Sequence, residues 1–268
     1  MEYDIEKSGM TYMYFKGTPL YPFGYGLSYA DFEYKSLEIS ANADGSVTAF
    51  VRIANTSDID SDEVIQLYFA MENSAVSRPV KKLCGFERVH IKAHSEITVR
   101  LDVKADILQI YDVRREKFIT ETGVYKFMAG GSSAEIHLTA EAAINGEILG
   151  NRPDFFNSCT HDRQCGIKTN WSRSLRQQYS YVEGWSGTVV YGGMDFTEKS
   201  CIELKISSVY DDRTVVLHIG KDTYKAEIKA TTAADDFIEY TIPIKPTDEK
   251  WLTITMGGGM GLLDIFVE

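Results

Sequence analysis

No run of apolar residues in this chain approaches the ~18–20 that a membrane-spanning helix needs, so no membrane segment is expected. The opening MEYDIEKSGM has neither a basic nor an apolar stretch, and a signal peptide is not expected there. Basic residues are scarce, with 28 Lys and Arg against 39 Asp and Glu and a net charge of −11. That sign disfavours nucleic acid and anionic membrane surfaces, while a neutral partner carries no penalty. The four cysteines, Cys84, Cys159, Cys165 and Cys201, are too few for a disulfide scaffold in 268 residues. Cys159 and Cys165 could close a loop or form half a metal site, but no standard zinc spacing and no second Cys/His pair accompanies them. The five histidines are scattered, and neither HExxH nor GxSxG occurs. Gly257-Gly-Gly-Met-Gly261 is not a phosphate loop, because only seven residues follow and no helix can start there.

What the chain does have is alternation. Val47, Ala49, Val51 and Ile53 alternate with polar or outward residues, as do Ile65, Leu67 and Phe69, and Ile97, Val99, Leu101 and Val103. Period 2 with one apolar face predicts half-buried strands. Turn-forming stretches separate these strands up to about residue 143, and the only helical hint is Lys104–Leu108. Six or seven short strands at this spacing predict an antiparallel sandwich over 31–143. Residues 144–150 read as a linker. Residues 151–178 carry little pattern. Strands resume at 188–191, 202–206, 215–219, 224–228, 238–244, 252–256 and 263–267, predicting a second all-β unit over 151–268.

Residues 1–30 fit neither unit. Thr11–Tyr29, TYMYFKGTPLYPFGYGLSY, is rich in aromatics, is broken by Pro19, Pro22, Gly24 and Gly26, and has no regular period. Such a piece cannot bury itself and reads as a strap lying on something larger.

The strap also carries a resemblance. TYMYFKGTPLYPFGYGLSYADFEY is similar to the end of the catalytic region of glycoside hydrolase family 3, the β-glucosidases and β-xylosidases. Met13 stands where that pattern has Arg, and Ala30 where it has Thr. Val64-Ile-Gln-Leu-Tyr68, Arg78-Pro-Val-Lys-Lys-Leu-Cys-Gly-Phe-Glu87, Gly123-Val-Tyr-Lys-Phe127 and Gly130-Gly-Ser-Ser133 resemble the family's fibronectin type III-like domain. The resemblance implies a non-catalytic accessory region whose partners are the upstream catalytic domains of a parent glycosidase. It leaves location between the cytoplasm and secretion with that parent. It also implies that the strap, without those domains, is disordered, packed on the sandwich, or buried in self-association. Residues 151–268 resemble a family-6-like carbohydrate-binding module with a β-jelly roll, through Val189-Val-Tyr-Gly-Gly-Met-Asp-Phe196, Phe237-Ile-Glu-Tyr240 and Leu263-Asp-Ile-Phe266. That implies an oligo- or polysaccharide ligand, Tyr181 and Phe237 as the stacking pair with Trp185 nearby, and a structural calcium ion held by Asp154 and Asp264. Leu262 occupies the position of the module's sugar-binding Asn, and Ile265 that of its Trp. No other cofactor is implied.

Read from the residues alone, Trp171, Tyr179, Tyr181 and Trp185, interleaved with Arg173, Arg176, Gln177 and Gln178, suit a sugar platform, a docking surface or a local core. The adjacent acids Asp211–Asp212 and Asp235–Asp236 are read as solvated turn carboxylates. Neighbouring side chains point apart, whereas a retaining glycosidase needs two carboxyls ~5–5.5 Å apart facing one substrate.

Overall fold

The computed structural model describes residues 9–268, so the first eight positions of the expected strap lie outside the described residues. The described residues form two compact units, one of residues 9–110 and 118–149, the other of 111–117 and 150–268. Among the described residues there is no α-helix, only strands and two short 3-10 turns, one of them at Ala105–Leu108. Among these residues no helix is long and apolar enough to cross a membrane.

The first unit holds β1 (Phe32–Ala41), β2 (Val47–Asn55), β3 (Ser61–Ala70), β4 (Lys82–Ile91), β5 (Glu96–Val103), the hairpin of β6 (Ile110–Asp112) and β7 (Lys117–Ile119), whose tip groups with the other unit, then β8 (Gly123–Gly130) and β9 (Ile136–Ile144). Two antiparallel sheets, β1-β2-β5 and β4-β3-β8-β9, face each other across one core. The alternating residues fill it: Val47, Ala49, Val51 and Ile53 from β2, Ile65, Leu67 and Phe69 from β3, and Tyr125 and Phe127 from β8. Such burial stabilises by about 25 cal/mol per Å² of apolar surface.

Arg78 organises the loop between β3 and β4. Its Nη2 donates to Glu121 Oε2 at 3.0 Å and its Nε to Ser74 Oγ at 3.1 Å, while Glu121 Oε1 accepts the Ala75 amide at 2.9 Å. Both charges are buried, and each is satisfied by the other and by the loop it ties down. The stretch expected as a linker is partly pinned. The amide of Thr122 donates to the Glu147 carbonyl, that of Glu147 to Thr120, and that of Gly146 to Thr122 Oγ1, each within 3.0 Å.

The second unit holds β10 (Phe155–Asn157), β11 (Arg163–Cys165), β12 (Lys168–Ser172), β13 (Gln177–Tyr181), β14 (Ser186–Gly192), β15 (Cys201–Ser208), β16 (Arg213–Ile219), β17 (Asp222–Ile228), β18 (Ile238–Pro243), β19 (Trp251–Gly257) and β20 (Met260–Val267). One sheet runs β12-β13-β20-β15-β18 with β10 also on β20, and the other β11-β14-β19-β16-β17. A single core of residues such as Leu204, Leu217, Ile254 and Leu262 lies between them. The unpatterned 151–178 stretch therefore contains three strands and the start of a fourth, β13. They are three to five residues long, and β11 and β12 carry mostly exposed polar residues, so no hydrophobic period marks them.

Arg152 pins the start of this unit. Its side chain is fully buried, and the guanidinium lies 4.7 Å from the Phe156 ring centroid and 5.3 Å from that of Tyr191. It donates to the Thr160 carbonyl at 2.8 Å and to Asp162 Oδ2 at 2.7 Å. The same Asp162 oxygen accepts the Gly192 amide at 2.6 Å. Burial lowers the Arg152 pKa, and the Asp162 carboxylate opposes that shift. Asp162→Ala leaves this charge uncompensated and is expected to cost the second unit about 3–5 kcal/mol. All three tryptophans lie at 171, 185 and 251, so tryptophan fluorescence in a urea titration reports this unit alone. An unchanged midpoint would refute the assignment.

Candidate functional site

The strap is ordered by the first unit. β3 presents Ile65, Leu67 and Phe69 to the core, and its other face carries Gln66 and Tyr68. Alternation predicts that second face in water, yet both residues are buried, at 4% and 0% exposure. The strap covers them. Tyr12 and Phe23 stack at 4.3 Å, and the Tyr12 ring meets Tyr68 edge-on at 6.1 Å. The Gln66 amide donates to the carbonyls of Gly24, at 3.0 Å, and Gly131, and accepts from the Tyr68 hydroxyl at 2.6 Å. Burial pushes the Tyr68 phenol well above its ordinary pKa. Backbone bonds complete the seat: Val80 to the Met13 carbonyl at 2.7 Å, Ser133 to the Phe23 carbonyl at 2.8 Å, and the Leu83 amide to the Tyr12 hydroxyl at 3.0 Å. Of the three expected states of the strap, packing on the sandwich is the one observed.

Only one face of the strap is used. Leu20, Tyr21, Leu27 and Tyr29 are exposed, Tyr29 completely. A hollow of about 690 Å³ opens beside them, lined by Met10, Phe15, Pro19 and Tyr21. Clustered apolar surface of this kind marks an interaction site.

In the second unit the five aromatic candidates fall in three places. Tyr179 is interior: Phe237 meets it edge-on at 5.1 Å, Tyr181 at 6.3 Å, and its hydroxyl accepts from Asn170 Nδ2 at 2.9 Å. The loop before β18 closes over it, with Asp235 Oδ2 accepting from Ser172 Oγ at 3.0 Å and Ser207 Oγ donating to the Ala234 carbonyl at 2.7 Å. The expectation of Tyr179 in a sugar platform is corrected here, because no free ring face remains. Tyr181 and Phe237 border this small core, half-buried. Trp171 lies exposed on β12 and lines a separate hollow of about 480 Å³ with Asn157, Arg176, Gln177 and Gln178. Trp185 is almost wholly exposed and faces a third cleft that includes Tyr210. Burial, with the Tyr210 phenol nearby, shifts the Tyr181 phenol upward in pKa. An aromatic in the turn Val209-Tyr-Asp-Asp212, where turn chemistry favours polar residues, is the signal that marks Tyr210.

The acidic candidates are tied up locally. Asp211 pairs with Arg213, Asp212 with Lys229, and Asp236 accepts from Thr232 at 2.7 Å. Asp154 pairs with Lys199 Nζ at 2.7 Å, and Asp264 Oδ1 faces the amide nitrogen of Asn157 at 3.3 Å. A calcium ion needs six to eight oxygens. Here an ammonium and an N–H donor meet the two carboxylates, so this pair does not fit a calcium cage. Among the described residues no three His, Cys, Asp or Glu side chains gather at metal-binding distance.

Comparison with known proteins places these features in context. Residues 63–133 match the model of the fibronectin type III-like domain. The chain is 39% identical over 127 residues to a beta-glucosidase of Bacteroides ovatus, covering 46% of this chain and 17% of that protein. It is 31% identical over 147 residues to thermostable beta-glucosidase B of Acetivibrio thermocellus, covering 54% and 20%. Among solved structures, a beta-glucosidase from Listeria innocua in complex with glucose is 36% identical, with a TM-score of 0.43 over 49% of this chain and 18% of that one. The chain spans about a sixth to a fifth of the length of the curated relatives it matches.

Two outcomes follow from this geometry. Gly24 has φ +77°, and a Cβ there would sit 2.0 Å from Gln66 Oε1. Gly24→Ala is therefore expected to unseat the strap, costing about 1–3 kcal/mol and speeding tryptic cleavage at exposed Lys16. Burial raises the Asp264 pKa above its unfolded value, so ionised Asp264 burdens the fold increasingly as pH rises through the unfolded and then the folded pKa. Asp264→Asn should thus be stabilising at pH ~8 and neutral below pH ~3, where the acid is protonated in both states. Thermal melts at the two pH values check it.

Proposed function

We propose that this chain is a non-catalytic accessory region of a family 3 β-glycosidase, and that its strap and sandwich brace the catalytic domains of the parent. The observation that carries this reading is the two-sided strap. One face is bound to β3 through Tyr12, Phe23 and Gly24, and the other offers Leu20, Tyr21, Leu27 and Tyr29 to a partner. The chain matches glycosidases several times its length, beta-glucosidases among them, which supports the catalytic domains of such an enzyme as the partner. The glycosidase chemistry itself belongs to that partner.

A second role is favoured by Trp171 and Trp185, both exposed in the second unit. In this reading a carbohydrate-binding module, with a jelly-roll sandwich, tethers an oligo- or polysaccharide to the parent enzyme.

A chimera tests the bracing role. The matched segment of the Bacteroides ovatus relative is replaced by this chain. The chimera should hydrolyse an aryl β-glucoside, and Tyr21→Ser with Leu27→Ser should lower its thermal midpoint while leaving the isolated chain unaffected. Equal melting of both chimeras would refute the bracing role, as would self-association of the isolated chain that the same substitutions abolish. Hydrolysis by the isolated chain would refute its non-catalytic character. Retention on insoluble xylan or glucan tests the tether.

A further inference from the structure

We propose that the cleft between Trp185 and Tyr210 binds one ring of a neutral sugar; this rests on the tether reading above and gives it a site. Three turns meet there: 182–185 between β13 and β14, 209–212 between β15 and β16, and 258–259 between β19 and β20. Backbone bonds lock them together. The Gly258 amide donates to the Trp185 carbonyl at 2.9 Å, Gly259 to Val182 at 2.8 Å, and Val209 to Gly259 at 3.1 Å. The glycine run makes the approach possible. A Cβ on Gly258 would lie 2.2 Å from the Gly184 carbonyl oxygen, and one on Gly259, at φ +80°, 2.4 Å from the Tyr210 ring. The walls are thus fixed before any ligand arrives, which lowers the entropy cost of binding.

The rings on those walls are nevertheless in water. Trp185 is 96% exposed and Tyr210 73%. Two large aromatics carried on turns whose backbone is fixed, and left uncovered, are poised to stack on an apolar face. The cleft is open, and its volume of about 280 Å³ lies just below the ~300–1,000 Å³ of drug-sized sites and suits a single ring.

Charge selects the ligand class. Glu183 and Arg213 line the cleft, and each has its own counterion, Lys168 for Glu183 and Asp211 for Arg213. The group carries no net charge. A hydroxyl can donate to the carboxylate, and its neighbour can accept from the guanidinium, while the C–H face of the ring lies on an aromatic. A phosphate would face Glu183, and a quaternary ammonium would face Arg213. A neutral polyol satisfies both groups at once.

The test is a ¹H–¹⁵N titration of the full chain, with the three tryptophan indole N–H signals as reporters. Methyl β-glucopyranoside, methyl β-xylopyranoside and cellobiose are the probes, with choline and inorganic phosphate as charged counterparts. The Trp185 signal should move saturably with at least one neutral sugar. Trp185→Ala and Tyr210→Ala should each weaken that binding by about tenfold or more, corresponding to ~1.4 kcal/mol. Both side chains are exposed, so circular dichroism and the melting midpoint should stay unchanged. A Trp185 signal that answers only choline or phosphate overturns the proposal, as does sugar affinity unaltered in both variants. Sugar-induced shifts confined to Trp171 overturn the cleft and leave the tether standing. No indole response, together with no retention on polysaccharide, overturns both.

Discussion

A strand inside a sandwich has two faces, and in β3 both are covered. The core takes Ile65, Leu67 and Phe69, and the strap takes Gln66 and Tyr68. The Gln66 amide is the pivot. In one small volume it satisfies a carbonyl of the strap, a carbonyl of the loop after β8, and the phenol of Tyr68. An unpaired buried amide or phenol costs roughly 1–3 kcal/mol, so these groups are held as a set. The strap is therefore part of the first unit's fold on one face and a free surface on the other.

The second unit meets a different constraint. β20 is the central strand of its sheet, flanked by β13 and β10 on one side and β15 on the other, and nearly every residue from Met260 to Val267 is buried. The polar groups carried into that region must be paired. Ser158 does this for the chain nearby, donating to the Leu262 carbonyl and accepting the Ser180 amide at 3.0 Å. Arg152 and Asp162 do it for charge, with two aromatic rings against the guanidinium.

How much of this was legible in the sequence depended on which force decided each residue. Val47 to Ile53 and Val99 to Val103 were readable because one sheet face fully determines period 2. Gln66 and Tyr68 were not, since their burial depends on a segment more than 40 residues earlier. The strands β10 to β13 were too short, and β11 and β12 too polar, to leave a period. The sequence leaves Tyr179 between a sugar platform, a docking surface and a local core, and only the loop at 233–237 closing over it makes it interior. Tyr210 was hidden beside an acidic pair, and only the folded turns bring it to face Trp185. Aromatic composition thus does not separate filled positions from open ones in the second unit.

The sequence separation within the strap's seat also has a consequence in time. The Tyr12 hydroxyl bonds an amide 71 residues further along the chain. At ~5–20 residues synthesised per second, Tyr12 leaves the ribosome roughly 4–14 s before that partner exists. For that interval a segment dense in aromatics has no sheet to lie on. Pro19 and Pro22 then have a second value, because neither can donate to a β-ladder and a chain broken there resists intermolecular pairing. The irregularity that keeps the strap from forming a strand of its own also protects it during the wait for β3 and β4.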